Sequence, residues 1–377
     1  MEDKKSPASA AATPSVLAGI SVLDLSNGVA GQFAGRLLAE HGADVLLLEP
    51  PAGTDTRRPL RLDDTHLFWH LNTGKRSLAL DRGTPQGRAQ FEKLLARADV
   101  VLGDTGEDFA PYAATHPTLV ACAIREFTAG GPYENWQGSE MIHQALSGLM
   151  FTTGHADKQP LYGFGYRAYY STGAAAVSAI VGGLLLRLRT GCGQLLPISV
   201  HEVAVGMSQN PVAQYSYNGT GMTRGPYPGA CDMFECTDGW VSMFCKGDRW
   251  KAFCAALDHA EMTADPRFTA INVVVKNWAA AYAILAPTVR QLSSDAFIAK
   301  LTGARCLASK VNTMADVLAC GHQQARGFWE KVTDEQGRER ALLGPVFRLS
   351  ATPRQVRSGA PALHPVGEAS GPETTHG

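Results

Sequence analysis

Apolar residues come in short runs separated by helical spacings through the N-terminal half of the chain. Residues 20–25 are β-branched and apolar, which predicts a strand. Ser26-Asn27-Gly28 is turn chemistry. Phe33, Leu37 and Leu38 then fall at helical spacing over 32–41, and Gly42 is a natural stop. Residues 43–48 predict a second strand, closed by Pro50-Pro51, and 77–80 a third. Thr84-Pro85 is an N-cap followed by proline, opening a helix to about residue 97. Strands follow at 100–102 and 119–124. This strand–helix rhythm predicts an α/β fold with a parallel, doubly wound sheet.

The texture changes to Gly, Pro, Tyr and Asn over 217–229, read as a linker. Two strand-like runs around Thr237-Asp238-Gly239 then predict a hairpin. Helices are expected at 250–257 and 278–301, giving a second, smaller α/β domain over 230–325. The first large domain covers 16–216. Residues 326–377 return to it, and from Gly344 a proline-bearing tail looks extended.

Composition narrows the class. The 377 residues are 45% hydrophobic and 18% charged, with net charge -1. No basic block offers a footprint for nucleic acid. Residues 1–15 are Ala/Ser/Pro-rich and lack the apolar run of a signal peptide, so they read as a disordered leader. The apolar stretch 174–186 is shorter than the roughly 20 residues a membrane span needs and reads as a buried helix. The eight cysteines form no CxxC pair and read as reduced thiols. A cytoplasmic protein with no membrane attachment is expected.

Candidate chemistry is sparse. Gly28, Gly31 and Gly35 imitate a dinucleotide fingerprint, but their spacing is GxxGxxxG rather than GxGxxG. Tight strand–helix packing explains them better than nicotinamide or flavin binding. His66 and His70 could share a helix face, yet no further ligand has suitable spacing, and no metal is expected. Ser26, Ser77 and Ser147 sit in no GxSxG context.

In order and spacing, several segments together resemble the class III CoA-transferase family, the carnitine CoA-transferase and formyl-CoA transferase group. They are Val22-Leu23-Asp24-Leu25-Ser26 with Ala30-Gly31, Gly42-Ala43-Asp44-Val45 through Glu49-Pro50-Pro51, and Asn72 through Lys75-Arg76-Ser77 to Asp81. Thr190-Gly191-Cys192-Gly193-Gln194, Asp238-Gly239-Trp240 and Phe347 through Pro353 continue the likeness. The resemblance implies a Rossmann-like large domain with a small domain between its two parts, in an interlocked dimer. A proline-rich tail suits a chain that wraps a partner. It implies coenzyme A or an acyl-CoA as substrate, contacted by Val29, Ala30, Lys75 and Arg76. An ordinary solvated turn is the competing reading of the last two.

Departures from the family pattern carry more weight. Between Lys158 and His201 there is no acidic residue. Counting back from Thr190, the resemblance places the family's nucleophilic Asp on Tyr169. That Asp forms a mixed anhydride and then an enzyme–CoA thioester, so the nucleophile must own a carbonyl carbon, which a phenol lacks. The His that family racemases use looks like Ser139, beside Glu140. Gly103-Asp104-Thr105-Gly106 lacks the Asn, Phe and Arg of the family loop that contacts CoA.

Tyr162, Phe164, Tyr166, Arg167, Tyr169 and Tyr170 cluster at the same place. They either fill an abandoned pocket or build a new site. A new site would have Arg167 as anion clamp, Tyr169 or Tyr170 as general acid, and His143 or Glu140 as base. The expected function is a degenerate or non-catalytic subunit of carboxylic acid and acyl-CoA metabolism, as a homodimer or paired with a homologous Asp-bearing chain. The alternative is a repurposed lyase, decarboxylase or isomerase acting on a carboxylic acid or its CoA ester. A transferase with a displaced nucleophile such as Glu140 is a third possibility.

Overall fold

The structure is a computed structural model that describes residues 15–58, 66–221, 224, 230–333 and 337–364. The expected leader lies almost wholly outside the described residues, as does most of the expected linker. The chain forms two compact units, one from 1–222 with 327–377 and one from 223–326.

The larger unit runs β1 (Ser21–Asp24), α1 (Val29–Glu40), β2 (Asp44–Glu49), α2 (His66–Asn72), β3 (Arg76–Ala79), α3 (Pro85–Leu95) and β4 (Val100–Gly103). It continues through α4 (Ala110–Thr115), β5 (Val120–Arg125), α5 (Glu140–Leu146), α6 (Arg167–Thr190), β6 (Gln194–Ser199), α7 (Val200–Met207) and α8 (Gln209–Asn218). Six strands make one parallel sheet in the order β3-β2-β1-β4-β5-β6. That is the Rossmann order, with its topological switch between β1 and β4.

The central strands are mostly apolar because helices cover both faces. Val22, Val45, Val100, Leu102 and Val120 face Ala34 and Leu38 of α1 and Ala176 and Ile180 of α6. Their neighbours Leu23, Leu48, Leu78, Val101 and Ala121 point the other way, toward Phe91 and Leu95 of α3. The N-cap of α3 is as expected: the Thr84 side chain accepts from the Gly87 N–H at 3.0 Å. The helix expected from residue 32 begins earlier, at Val29.

The apolar stretch 174–186 lies inside α6, but that helix is not buried. Ala168, Thr172, Gly173, Ala176, Ile180 and Gly183 form its covered stripe, whereas Val181, Leu185, Leu186 and Leu188 are exposed. Gly173 lets the helices close together, since a Cβ there would lie 2.7 Å from the Ala30 carbonyl oxygen. By length and composition α6 could cross a membrane. It joins β5 to β6, however, and those strands pair in parallel along their whole length. A span would hold them about 30 Å apart on opposite sides of a bilayer, so α6 is a crossover helix.

In the smaller unit, β7 (Ala230–Cys236) and β8 (Gly239–Cys245) form the expected hairpin, with Gly239 at φ 137°. After them come α9 (Trp250–Ala256), α10 (Ile271–Lys276), α11 (Trp278–Val289), α12 (Ser294–Gly303), β9 (Leu307–Lys310), α13 (Met314–Leu318) and α14 (Gly321–Ala325). The single helix expected over 278–301 is two helices. Ser293 accepts from the Ala296 N–H and starts the second as its N-cap. Phe234, Val241, Phe253, Phe268 and Phe297 form the core of this unit.

Back in the larger unit, β10 (Trp329–Thr333) and β11 (Glu339–Leu343) make an antiparallel ribbon. As far as His364, the tail then lies along its own unit. Gln355 N–H donates to the Glu40 carbonyl, Gly74 N–H to that of Ser358, and Ala79 N–H to that of His364. The unpaired edge of β3 explains this course, because the tail satisfies backbone groups there.

Candidate functional site

A crevice of about 280 Å³ opens at the carboxyl ends of β1, β4 and β5, lined by Val29, Ala30, Asp104, Glu126, Tyr166 and Tyr169 among others. A second cavity of about 390 Å³ shares Gly28, Val29, Asp104 and Tyr166. Both border the switch point, where open parallel sheets place ligands. Another cavity, of about 600 Å³, lies at the amino ends of β1 and β2 and is lined by Ser21, Asp44, Arg76, Arg97 and Arg357 among others.

Glu126 follows directly on β5, so the strand delivers its carboxylate to the crevice. Tyr169 Oη donates to both of its oxygens, at 3.0 and 3.1 Å. His143 Nε2 lies 2.5 Å from Glu126 Oε2. The His143 ring is fully buried, against Phe127, Tyr169 and His201. Its Nδ1 has no partner among the described residues. That fits an imidazole carrying its proton on Nε2, aimed at Glu126, because an unpaired lone pair costs less than an unpaired N–H. Burial, then the charge and hydrogen bond of Glu126, push the Tyr169 pKa well above the ordinary phenol range. The phenol is therefore a donor to Glu126 at any working pH.

The other candidates have different employment. Glu140 is buried and accepts from Ala168 N–H at 2.9 and 3.0 Å, from Tyr169 N–H at 3.4 Å and from Gln144 Nε2 at 2.7 Å. It caps α6 from a neighbouring helix, since Tyr166 at the N-cap supplies no side-chain acceptor. A carboxylate used in this way is not free to serve as base. Arg167 is exposed and does not line the crevice. Tyr170 points away, its ring edge-on to Phe33 at 4.8 Å, so the proposed Tyr/Arg constellation is not assembled.

Val29 and Ala30 line the crevice, but Lys75 and Arg76 do not join them. Lys75 Nζ is wholly enclosed and donates to Asp24 Oδ2, Gln32 O and Asn72 Oδ1, each at 2.8 Å. It is not a solvated turn. Gly35 exists for this pair, because a Cβ there would lie 2.3 Å from Asp24 Oδ2 and 2.9 Å from Lys75 Nζ. Arg76 pairs with Asp44 at the amino end of the sheet.

The glycines that imitate a dinucleotide loop meet a carboxylate of the chain itself. Asp104, at the end of β4, accepts the N–H groups of Asn27, Gly28 and Gly31 at 2.8–3.2 Å. The amino terminus of α1, where a bound pyrophosphate would sit, is thus already filled. Burial raises the Asp104 pKa, and the three N–H groups oppose that rise. No group of metal-ligand side chains occurs among the described residues. His70, one of the two histidines on α2, lies against Arg36, and burial followed by that charge pushes its pKa down to about 3.

Sequence reasoning missed Glu126. The signal available was positional: Arg125-Glu126 is the first charged pair after an apolar strand beside the switch point.

Fold and crevice together define a Rossmann-like α/β protein with a polar site at the carboxyl edge of its sheet. The family model for CoA-transferase family III matches residues 17–365, and the chain belongs to that family. It is 29% identical to the succinate–glutarate CoA-transferase of Agrobacterium fabrum, over 92% of each chain. It is 26% identical to both the alpha and beta subunits of the succinyl-CoA–L-malate CoA-transferase of Chloroflexus aurantiacus. Those matches cover 92% of this chain, with 86% of the alpha and 91% of the beta subunit. A CAIB/BAIF family protein from Brucella suis has the same fold, with TM-score 0.85 and 29% identity over 93% of this chain and 97% of that one.

Proposed function

We propose that this chain is a transferase-derived enzyme that binds a CoA thioester and a carboxylate at the carboxyl-edge crevice and does not route its chemistry through residue 169. Tyr169 takes the place of the family Asp in this reading and serves as a hydrogen-bond donor. The observation that carries it is Glu126, a carboxylate open to the crevice and held by Tyr169 and His143. A pocket merely filled with aromatics would have no reason to keep a carboxylate so held. Val29 and Ala30 would contact the ligand in the crevice. The test is calorimetric titration with CoA and succinyl-CoA, followed by turnover assays with succinyl-CoA and a panel of dicarboxylates. Micromolar binding with CoA exchange supports the reading, and no binding by the purified protein defeats it.

A second reading, a non-catalytic subunit beside a homologous Asp-bearing chain, draws on the exposed apolar residues of α6 together with Val212, Tyr215 and Tyr217 of α8. Such a surface fits burial against a second chain, either a copy in an interlocked dimer or an unlike partner. Native mass spectrometry of the protein from its own host separates these cases.

A further inference from the structure

We propose that Glu126 is the acyl-accepting carboxylate of the crevice, an inference that rests on the function proposed above. Covalent capture of an acyl group as an anhydride needs a side chain with its own carbonyl carbon. Three carboxylates line the crevice, Asp104, Glu126 and Glu140. Asp104 and Glu140 are turned onto backbone N–H groups at the starts of α1 and α6. Glu126 alone of the three has only side-chain donors, and its own side chain keeps 37% of its surface exposed. Tyr169 Oη and His143 Nε2 hold this carboxylate in place at the crevice. Oε1 receives only the phenol and retains a lone pair toward the cavity.

The steps balance without an oxidant or reductant. Glu126 Oε1 attacks the thioester carbonyl carbon, a C–O bond forms, the C–S bond breaks and CoA leaves as thiolate. The thiolate attacks Glu126 Cδ, a C–S bond forms and the anhydride C–O bond breaks, releasing the acyl group as its carboxylate. Glu126 is left as a CoA thioester. A second carboxylate reverses both steps, forming a new acyl-CoA and restoring the free side chain.

The experiment incubates the full-length protein with succinyl-CoA, traps with borohydride or hydroxylamine, and maps the modified peptide by mass spectrometry. CoA affinity and melting temperature are measured on the same samples. The expected result is a trapped adduct on Glu126 that is lost in Glu126→Gln. Turnover should fall by roughly 10³-fold or more with CoA affinity unchanged and the melting temperature lowered by only a few degrees. Glu126→Asp, which keeps the carbonyl on a shorter arm, should still be trapped. Binding without an adduct, or an adduct on another residue, overturns the role of Glu126 and leaves the proposed function standing. Absence of CoA binding overturns both.

Discussion

The amino termini of α1 and α6 both end on carboxylates at the same crevice, and in both the carboxylate comes from another element. Asp104 closes α1 from the end of β4, and Glu140 closes α6 from α5. Each takes backbone N–H groups that a helix leaves without partners. Glu126 stands between them on the end of β5 and takes none; its donors are a phenol and an imidazole. Backbone donors fix a carboxylate as part of the frame. Side-chain donors leave it adjustable and open. Three acids in one crevice thus divide into two that shape it and one able to react in it.

Substitution can break that division. The largest effect is expected at Glu140. Glu140→Ala strands the N–H groups of Ala168 and Tyr169 beneath α6 and removes one of the two acceptors of Gln144 Nε2, costing about 2–4 kcal/mol of stability. Urea denaturation measures it, and a loss below about 0.5 kcal/mol would show that water replaces the cap. Asp104→Asn should cost less, about 1–3 kcal/mol, because one acceptor oxygen survives while the new amide faces the N–H groups as a second donor. If Asp104→Asn instead stabilised the protein, burial would outweigh the hydrogen bonds at that site. Glu126→Gln should cost least of the three, about 1 kcal/mol, because its amide oxygen still accepts one of the two donors while its NH2 faces the other.

The division was only partly visible in the sequence. Strands β1, β2, β4 and β5 are legible because a doubly covered parallel strand is a plain apolar run, and Thr84-Pro85 marks a helix start by local chemistry alone. The reading of α6 failed on burial. An all-round apolar helix looks like core, yet only one stripe of it, with Gly173, Ala176, Ile180 and Gly183, faces the sheet side. The break before Ser294 was missed although Ser293-Ser294-Asp295 is capping chemistry. The site was harder. Glu126 and His143 lie 17 residues apart, and Tyr169 is 43 beyond Glu126, so nothing local links them. Lys75 was misjudged for the same reason: its partner Asp24 is 51 residues away. Contacts that long are set by strand order, which a linear pattern does not display.

The mildest and most discriminating change is Tyr169→Phe. It removes one hydrogen bond to a charged acceptor while preserving the ring that packs on His143, and Glu126 keeps its imidazole partner. Stability should drop by about 1 kcal/mol. Turnover should fall roughly 10-fold, the kinetic equivalent of about 1.4 kcal/mol, with the borohydride-trapped adduct still forming. The pH profile carries further information. The Tyr169 pKa is raised far above neutrality, so the phenol stays protonated through the working range and the wild-type rate should show no alkaline limb from it. If Tyr169→Phe abolished the adduct, the phenol would be doing more than orienting Glu126. If it changed nothing, the hydrogen bond would be packing, and the contrast between side-chain and backbone donors would rest on His143 alone.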